Sequence, residues 1–476
     1  MPSIDDVLAG GACSGCGACS VATSGRIPIT LTRYGARQAS TAGASESDKA
    51  IASRVCPFAR DSPDEDAVSA EVFPPSLDHD ERIGRFLKVS AAQVASDDYV
   101  IDSSSGGMTS WFVGRLLAEG DVDGVIHVGR NEDDLFGYRV SYDMDAVLGN
   151  RKSAYYATSF ADAVSRIEGD GRRYAIVGVP CFITGARHLV RERPALADQL
   201  VYFVGLVCGH LKTDAFAQLL AWQVGVAPDQ LAEVDFRVKH PHRDAQDYSF
   251  AARRRGRAEW ASKPNRRLFG ANWGHAMFQL GACDFCDDIF AETADVVLGD
   301  AWLEGFRQDW RGTNVVITRS PRLQEILDAG EDSGAVRVWP LSPDEAAKSQ
   351  AGNFRHRRDG LAVRLADDIA EGRWVPLKRV QPDAERVGAK RRSLIRQRRA
   401  LSRTSHTAFA AAREAGSLRA FMRVMRPKVN AYVLTDLGPV MGRLTIYAPW
   451  LARSRFVRNS FVRSILSRAR TRSTGT

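Results

Sequence analysis

Eight cysteines stand in a chain of 476 residues, and their spacing divides them into two sets of four. Cys13, Cys16 and Cys19 recur every third residue in Gly-Gly-Ala-Cys-Ser-Gly-Cys-Gly-Ala-Cys-Ser, with only small residues in the gaps. Small residues let a backbone wrap closely around an inorganic core. Three thiolates at this spacing, followed by a Cys-Pro, form the ligand pattern of bacterial [4Fe–4S] ferredoxins. Cys56-Pro57 supplies the Cys-Pro after an interval of 36 residues, longer than in compact ferredoxin domains. Zinc also takes four thiolates, but its sites usually read as two separated pairs, so the triplet favours a cluster. Disulfides are the weakest alternative in a reducing compartment.

The second set is dispersed: Cys181 in Val-Gly-Val-Pro-Cys-Phe, Cys208 in Gly-Leu-Val-Cys-Gly-His, and Cys283 with Cys286 in Cys-Asp-Phe-Cys-Asp-Asp. Cys181 follows the apolar run 174–178 and Cys208 ends the run 201–207, both patterned as buried parallel strands, with helix-like sequence over 182–193 between them. Two neighbouring strands would then end in cysteines at the sheet edge where α/β proteins hold ligands. Alone, each cysteine reads as a small buried hydrophobe. Together with a Cys-x-x-Cys they read as ligands of a second cluster.

Three units are expected to position these groups. Residues 1–80 are rich in Gly, Ala, Ser and Asp and predict a loop-rich iron–sulfur unit organised by its metal. Residues 81–380 alternate helix and strand signals, giving an α/β to α+β body with a mixed sheet. Helices are expected over 108–119 and 160–167, strands over 122–128, 294–299 and 314–319, and a hairpin within 232–261. Residues 381–476 form a basic extension, mostly helical or disordered. Ser104, Ser105, Gly106, Gly107 and Thr109 open the first of those helices. Backbone N–H groups there suit a phosphate, and an ordinary N-cap is the plain alternative. No G-x-G-x-x-G follows a strand, so a Rossmann site is not expected.

The composition, 44% hydrophobic and 26% charged, is that of a globular chain. Its net charge of +8 is unevenly placed. From Arg386 onward there are 21 basic and 2 acidic residues, a net +19, which leaves the first 385 residues at −11. An acidic body gives no reason to expect nucleic-acid binding, and only the tail could attract an anionic partner. Within the tail Trp450, Val457, Phe461 and Ile465 would share a helical face, which suits the surface of an anionic membrane. No apolar run is long enough to span a bilayer, and the first ten residues lack a leader pattern. The expected location is cytoplasmic, or peripheral at the inner face of the membrane.

Six ordered motifs give the chain a recognisable character. They are Cys-Ser-Gly-Cys-Gly-Ala-Cys at 13–19, Ser-Ser-Gly-Gly-Met-Thr at 104–109 and Val-Gly-Val-Pro-Cys-Phe-Ile-Thr-Gly at 177–185, then Gly-Leu-Val-Cys-Gly at 205–209, Cys-Asp-Phe-Cys-Asp-Asp at 283–288 and Ala-Asp-Val-Val-Leu-Gly-Asp-Ala-Trp at 294–302. With these the chain resembles the coenzyme F420 hydrogenase/dehydrogenase beta-subunit family, which also includes 7-hydroxymethyl chlorophyll a reductase. The resemblance implies an oxidoreductase that uses FAD and one or two [4Fe–4S] clusters, with coenzyme F420 or ferredoxin as redox partner and a small organic substrate. The alternative is an electron-transfer subunit with no substrate site of its own. Cys181, Cys208, Cys283 and Cys286 would hold the cluster nearest the flavin. The Ser104–Thr109 stretch would line the flavin or deazaflavin site, and Lys152, Ser153 and Tyr155 would flank the same cavity. Asp287, Asp288 and Asp300 are expected as solvated turn or cap residues, or else as charges that make a nearby cluster harder to reduce. His240 and His242 read as a polar loop, and His210 as the histidine nearest the site.

Overall fold

The computed structural model describes residues 4–131 and 134–447. Its centre is an eight-stranded mixed sheet. The strand order is Val336–Pro340, Lys88–Val94, Asn314–Thr318, Val296–Asp300, Leu200–Leu206, Tyr174–Gly178, Gly124–Arg130 and Phe136–Ser141. The four strands from Val296–Asp300 to Gly124–Arg130 run parallel. Antiparallel partners extend the sheet on both sides. This is the mixed-sheet body that the sequence predicts.

Parallel strands covered on both faces need apolar side chains at every position, and Tyr174–Gly178 is buried throughout. Its alternate residues serve different layers. Ala175 and Val177 pack with Met108, Phe112 and Leu327 from the helices Met108–Ala118 and Pro321–Asp332. Tyr174 and Ile176 pack with Phe182, Ile183 and Leu189 from the helix Pro180–Glu192. Pro180 opens that helix, where a missing N–H is harmless, so the chain turns directly from strand into helix at Cys181.

Residues 4–80 supply short helices, Ile4–Ala9, Ala18–Ala22, Glu46–Val55 and Glu65–Val72, joined by loops. They do not build a core of their own. Cys16, Ala18, Val21, Ala52 and Val55 join the same buried cluster as Phe182 and Phe203. The expected hairpin is a three-stranded antiparallel sheet, Leu231–Val238, Ser249–Arg254 and Trp260–Pro264. Its last strand is largely exposed and polar and carries no apolar alternation to announce it.

The described chain forms two compact units, the second made of Val387 onward with Gly274–Ala276. Within the second, the helices Ala389–Glu414 and Leu418–Tyr447 pair, with Phe409 edge-on to Phe421 at 5.7 Å. The latter helix breaks at Gly438, whose φ of 78° precedes Pro439. The amphipathic face expected from Trp450, Val457, Phe461 and Ile465 lies outside the described residues. Among the described residues no helix is long and apolar enough to cross a membrane.

Candidate functional site

Cys13, Cys16 and Cys19 lie on the loop and first turn leading into the helix Ala18–Ala22, and Cys56 caps the end of Glu46–Val55. The loop is tight because Gly15 and Gly17 take positive φ, and a Cβ on Gly17 would lie 2.4 Å from Ser159 Oγ. Phe160 N–H and Ser159 Oγ–H both donate to Cys16 O, at 2.9 and 3.2 Å. The four thiols are near enough to raise one another's pKa. Burial is the larger cause, and it pushes Cys16 up to about 11. Backbone N–H groups face the sulfurs: Ala39 and Gly15 at Cys13, Ala18 and Gly17 at Cys16, Phe58 and Ala59 at Cys56.

Cys181 and Cys208 follow adjacent parallel strands, paired Val177 to Val204 and Gly178 to Gly205. The 281–284 turn brings Cys283 beside them, with Leu211 N–H donating to Cys283 Sγ at 3.1 Å. Cys181 feels like charge from Cys286, Cys283 and Cys208, and also from Cys16 of the first set. The helix Pro180–Glu192 joins the two sets. Cys181 stands at its start, and one turn later Gly185 leaves room for the first set, since a Cβ there would lie 3.2 Å from Cys16 Sγ. The loops also touch directly: a Cβ on Gly281 would meet Gly11 O at 2.3 Å.

Arg357 is a residue that sequence reasoning missed, because the run Arg355–Arg358 reads as a solvated charge cluster. It is 1% exposed, and burial disfavours its charge, but Cys286, Cys208, Cys283 and Cys181 outweigh that and raise its pKa. Among the described residues no three His, Cys, Asp or Glu side chains converge to hold a single metal ion. The donors nonetheless suit a larger anionic centre. Buried thiols ringed by N–H groups, with an unpaired guanidinium nitrogen beside one set, fit thiolate ligands of an iron–sulfur cluster.

Asp287 and Asp288 are not solvated; both are fully buried. Lys378 Nζ lies 3.2 Å from Asp287 Oδ1, and Arg379 is bidentate to Glu292 at 2.7 and 3.0 Å. Burial alone would raise Asp287, but Lys378 and Arg379 hold its pKa down to about 2. Burial, with Glu292 and Glu65, lifts Asp288 to about 8. The cationic partners of Asp287, Lys378 and Arg379, lie some ninety residues away in sequence, which is why the acidic run looked like a turn. Asp300 pairs with Arg237, at 2.9 Å.

A cavity of about 300 Å³ adjoins the second set, with Cys208, Gly209 and His210 in its wall. Ser104, Ser105, Gly107, Thr109, Lys152, Ser153 and Tyr155 line it too. Gly106 stands behind, where a Cβ would meet Ala92 O at 2.9 Å. Ser153 N–H donates to Ser104 Oγ at 2.6 Å, which ties the two motifs together. Lys152 takes a φ of 94°, rare for a side-chain-bearing residue, and pairs with Asp235 at 2.6 Å. The helix N-terminus behind the Ser-Gly turn is partly engaged, since Met108 N–H donates to Asn314 Oδ1 at 3.3 Å. Tyr155 and Trp273 make an aromatic wall, ring centroids 5.0 Å apart, and His210 lies 4.3 Å from Trp273. Arg237 and Lys212 add buried cations. His240 bonds Ser249 Oγ at 2.7 Å and stands outside the cavity lining.

Comparison with known proteins bears on this arrangement. An uncharacterized protein of Methanocaldococcus jannaschii is 24% identical over 240 residues, 50% of this chain and 82% of that protein. The coenzyme F420-dependent sulfite reductase of the same organism is 24% identical over 255 residues, 48% of this chain but only 35% of that enzyme. A chain of the F420-reducing [NiFe] hydrogenase complex from Methanosarcina barkeri aligns at a TM-score of 0.47 and 16% identity, over 63% of this chain and 98% of its own. Two family profiles match the residues that build the sheet, the cavity and the second cysteine set. The N-terminal profile covers 89–165 and the C-terminal one 171–344, so together they take in more than half of the sequence. The chain therefore belongs to the coenzyme F420 hydrogenase/dehydrogenase beta-subunit family, a family of redox proteins.

Proposed function

We propose that the chain is an iron–sulfur flavoprotein oxidoreductase. In this reading one [4Fe–4S] cluster sits on Cys13, Cys16, Cys19 and Cys56 and a second on Cys181, Cys208, Cys283 and Cys286. The cavity would hold FAD, whose chemistry would serve electron exchange with coenzyme F420 or a small organic substrate, with ferredoxin as the other candidate partner. One observation carries the proposal: a single helix joins the two thiol sets, and the second set shares Cys208 with the cavity wall.

A bound flavin supplies the exchange between a hydride's electron pair and the single electrons that clusters carry. The chain's own residues do the rest. Ser104, Gly107 and Thr109 offer a polar turn at a helix start to a phosphate, with Lys152 in the same lining beside Ser104. Tyr155 and Trp273 present flat apolar surface to a ring and keep water from it. Tyr156, also in the lining, lies against Asp214, whose pKa burial raises to about 7. That carboxyl is therefore poised to exchange a proton near the cavity wall around neutral pH.

Anaerobic purification with iron, sulfide and flavin counts tests the assignment, followed by addition of reduced coenzyme F420 without any partner protein. The expected result is a brown protein with both cofactors whose flavin bleaches. Cofactors present with no bleaching would favour the electron-transfer subunit, and colourless zinc protein would overturn both. The basic segment 387–447, with 13 Lys or Arg against 2 Asp or Glu, supports a peripheral contact with anionic membrane. Truncation after Asp383 should abolish binding to anionic liposomes, and undiminished binding would refute that contact.

A further inference from the structure

Among the described residues, Arg357 is a buried cation that the redox reading leaves unused. Arg357 Nε donates to Gly209 O at 3.3 Å and Nη2 to Cys208 O at 3.1 Å, while Nη1 has no hydrogen-bond partner among the described residues. None of the ion pairs among the described residues includes it; Asp288 accepts from Glu292 N–H and its pKa is raised to about 8, and the other carboxylates near the second set pair with other cations. Lys378 and Arg379 take Asp287 and Glu292, and Arg364 lies by Asp284. The bonds to Gly209 O and Cys208 O fix the guanidinium on the Cys208–Gly209 backbone, beside the Cys208 thiol and within electrostatic reach of the other three thiols of the second set. A single π-helical turn, Arg355–Asp359, holds it there. Such turns are rare and occur mostly at functional sites, because widening a helix strains its hydrogen bonds.

An arginine side chain stays protonated at any working pH. Buried without a counter-charge it would destabilise the fold strongly. Four thiolates around an iron–sulfur core carry net negative charge, and that charge grows when the core gains an electron. We infer that Arg357 is the counter-ion of a cluster on Cys181, Cys208, Cys283 and Cys286, and that its fixed positive charge raises the reduction potential of that cluster. The inference rests on the iron–sulfur reading above. A cation beside the sulfurs favours the more negative, reduced state, and an N–H directed at a sulfur acts in the same sense. Backbone N–H groups reach both sets, but among the described residues no arginine is one of the leading charges acting on the first set's thiols, so the expected effect of Arg357 is on the second centre.

The test is a potentiometric titration followed by electron paramagnetic resonance on full-length protein purified without oxygen. Wild type, Arg357→Lys and Arg357→Gln are compared. Arg357→Gln is expected to lower the potential of one centre and leave the other unchanged, and Arg357→Lys to recover most of the shift. An unmoved potential in Arg357→Gln, or an equal shift of both centres, would overturn the role. If Arg357→Gln fails to assemble the second cluster, Arg357→Lys decides. Iron retained near the wild-type potential supports the counter-ion, and iron lost there too refutes it. Wild-type protein without iron would instead refute the iron–sulfur reading itself, a result separable from any effect of Arg357.

Discussion

The two cysteine sets reach a similar arrangement by opposite routes. The first is local: three thiols within seven residues, bent inward by glycines at positive φ and met by backbone N–H groups. The second is assembled from two strand ends and a distant turn, and buried ions surround it: Arg357, Lys378, Asp287 and Asp288. A compact loop can satisfy its sulfurs with its own backbone. A site at the junction of three segments has no such loop; Leu211 N–H reaches Cys283, and buried charged side chains stand close by. Of the eight cysteines only Cys208, in the second set, lines the cavity among the described residues.

The comparison breaks most directly at the ligands. Cys16→Ala and Cys283→Ala should each remove about half of the iron and sulfide and leave the other half in place, as chemical assays of the anaerobic protein would read. Loss of all iron from either variant would mean that the sets are not separate. Cys56→Ala tests the long interval: retention of the first set's iron would exclude it as the fourth ligand.

Next in size is Asp287→Ala, which removes the nearer carboxylate of buried Lys378 and leaves it only Glu65, 3.8 Å away. Removing one partner of a buried pair costs about 3–5 kcal/mol, measurable by denaturant unfolding of the metal-free protein. Gly17→Ala probes the local set in the same assay. Forcing a Cβ onto a φ of 103° against Ser159 should cost about 1–3 kcal/mol. If it proves the more damaging of the two, the first set is the more constrained by side-chain packing and the contrast fails.

A pH series sharpens the picture at the cavity. Burial raises the Asp214 pKa to about 7 from an ordinary 3.8, so the folded state holds this proton more tightly than the unfolded one. The stabilising contribution is therefore full below about pH 4 and is lost as pH rises to about 7, with a slope of up to about 1.4 kcal/mol per pH unit. Asp214→Asn should flatten that part of the stability curve relative to wild type; parallel curves would remove Asp214 as a proton holder. The smallest effect is expected at Arg54, half-exposed and paired with Glu192 at 2.6 Å. Arg54→Ala should change stability by no more than about 1 kcal/mol, in contrast with Asp287→Ala.

Much of the sheet was legible because its central strands are covered on both faces and so need unbroken apolar runs, as in Tyr174–Gly178 and Asn314–Thr318. Lys88–Val94 was not. It is buried from Val89 onward yet includes Ser90 and Gln93, and Gln93 is tolerated only because Asp309 and Gly312 O accept from its amide, at 2.9 and 2.7 Å. The same reason hid the ion network. A carboxylate beside a cysteine motif looks solvated until a lysine from another segment is placed against it.

The sequence by itself determined the first set's spacing, the strand that delivers Cys181, the strand that delivers Cys208, and the uneven charge, since each is a property of one continuous segment. Only the tertiary structure decided that the two sets adjoin through one helix, that Lys152 and Ser104 face the same cavity, and that Arg357 lies among thiols. Those facts depend on which distant segments share a low-dielectric interior. There a charge must find a partner, and spacing along the chain does not reveal which one.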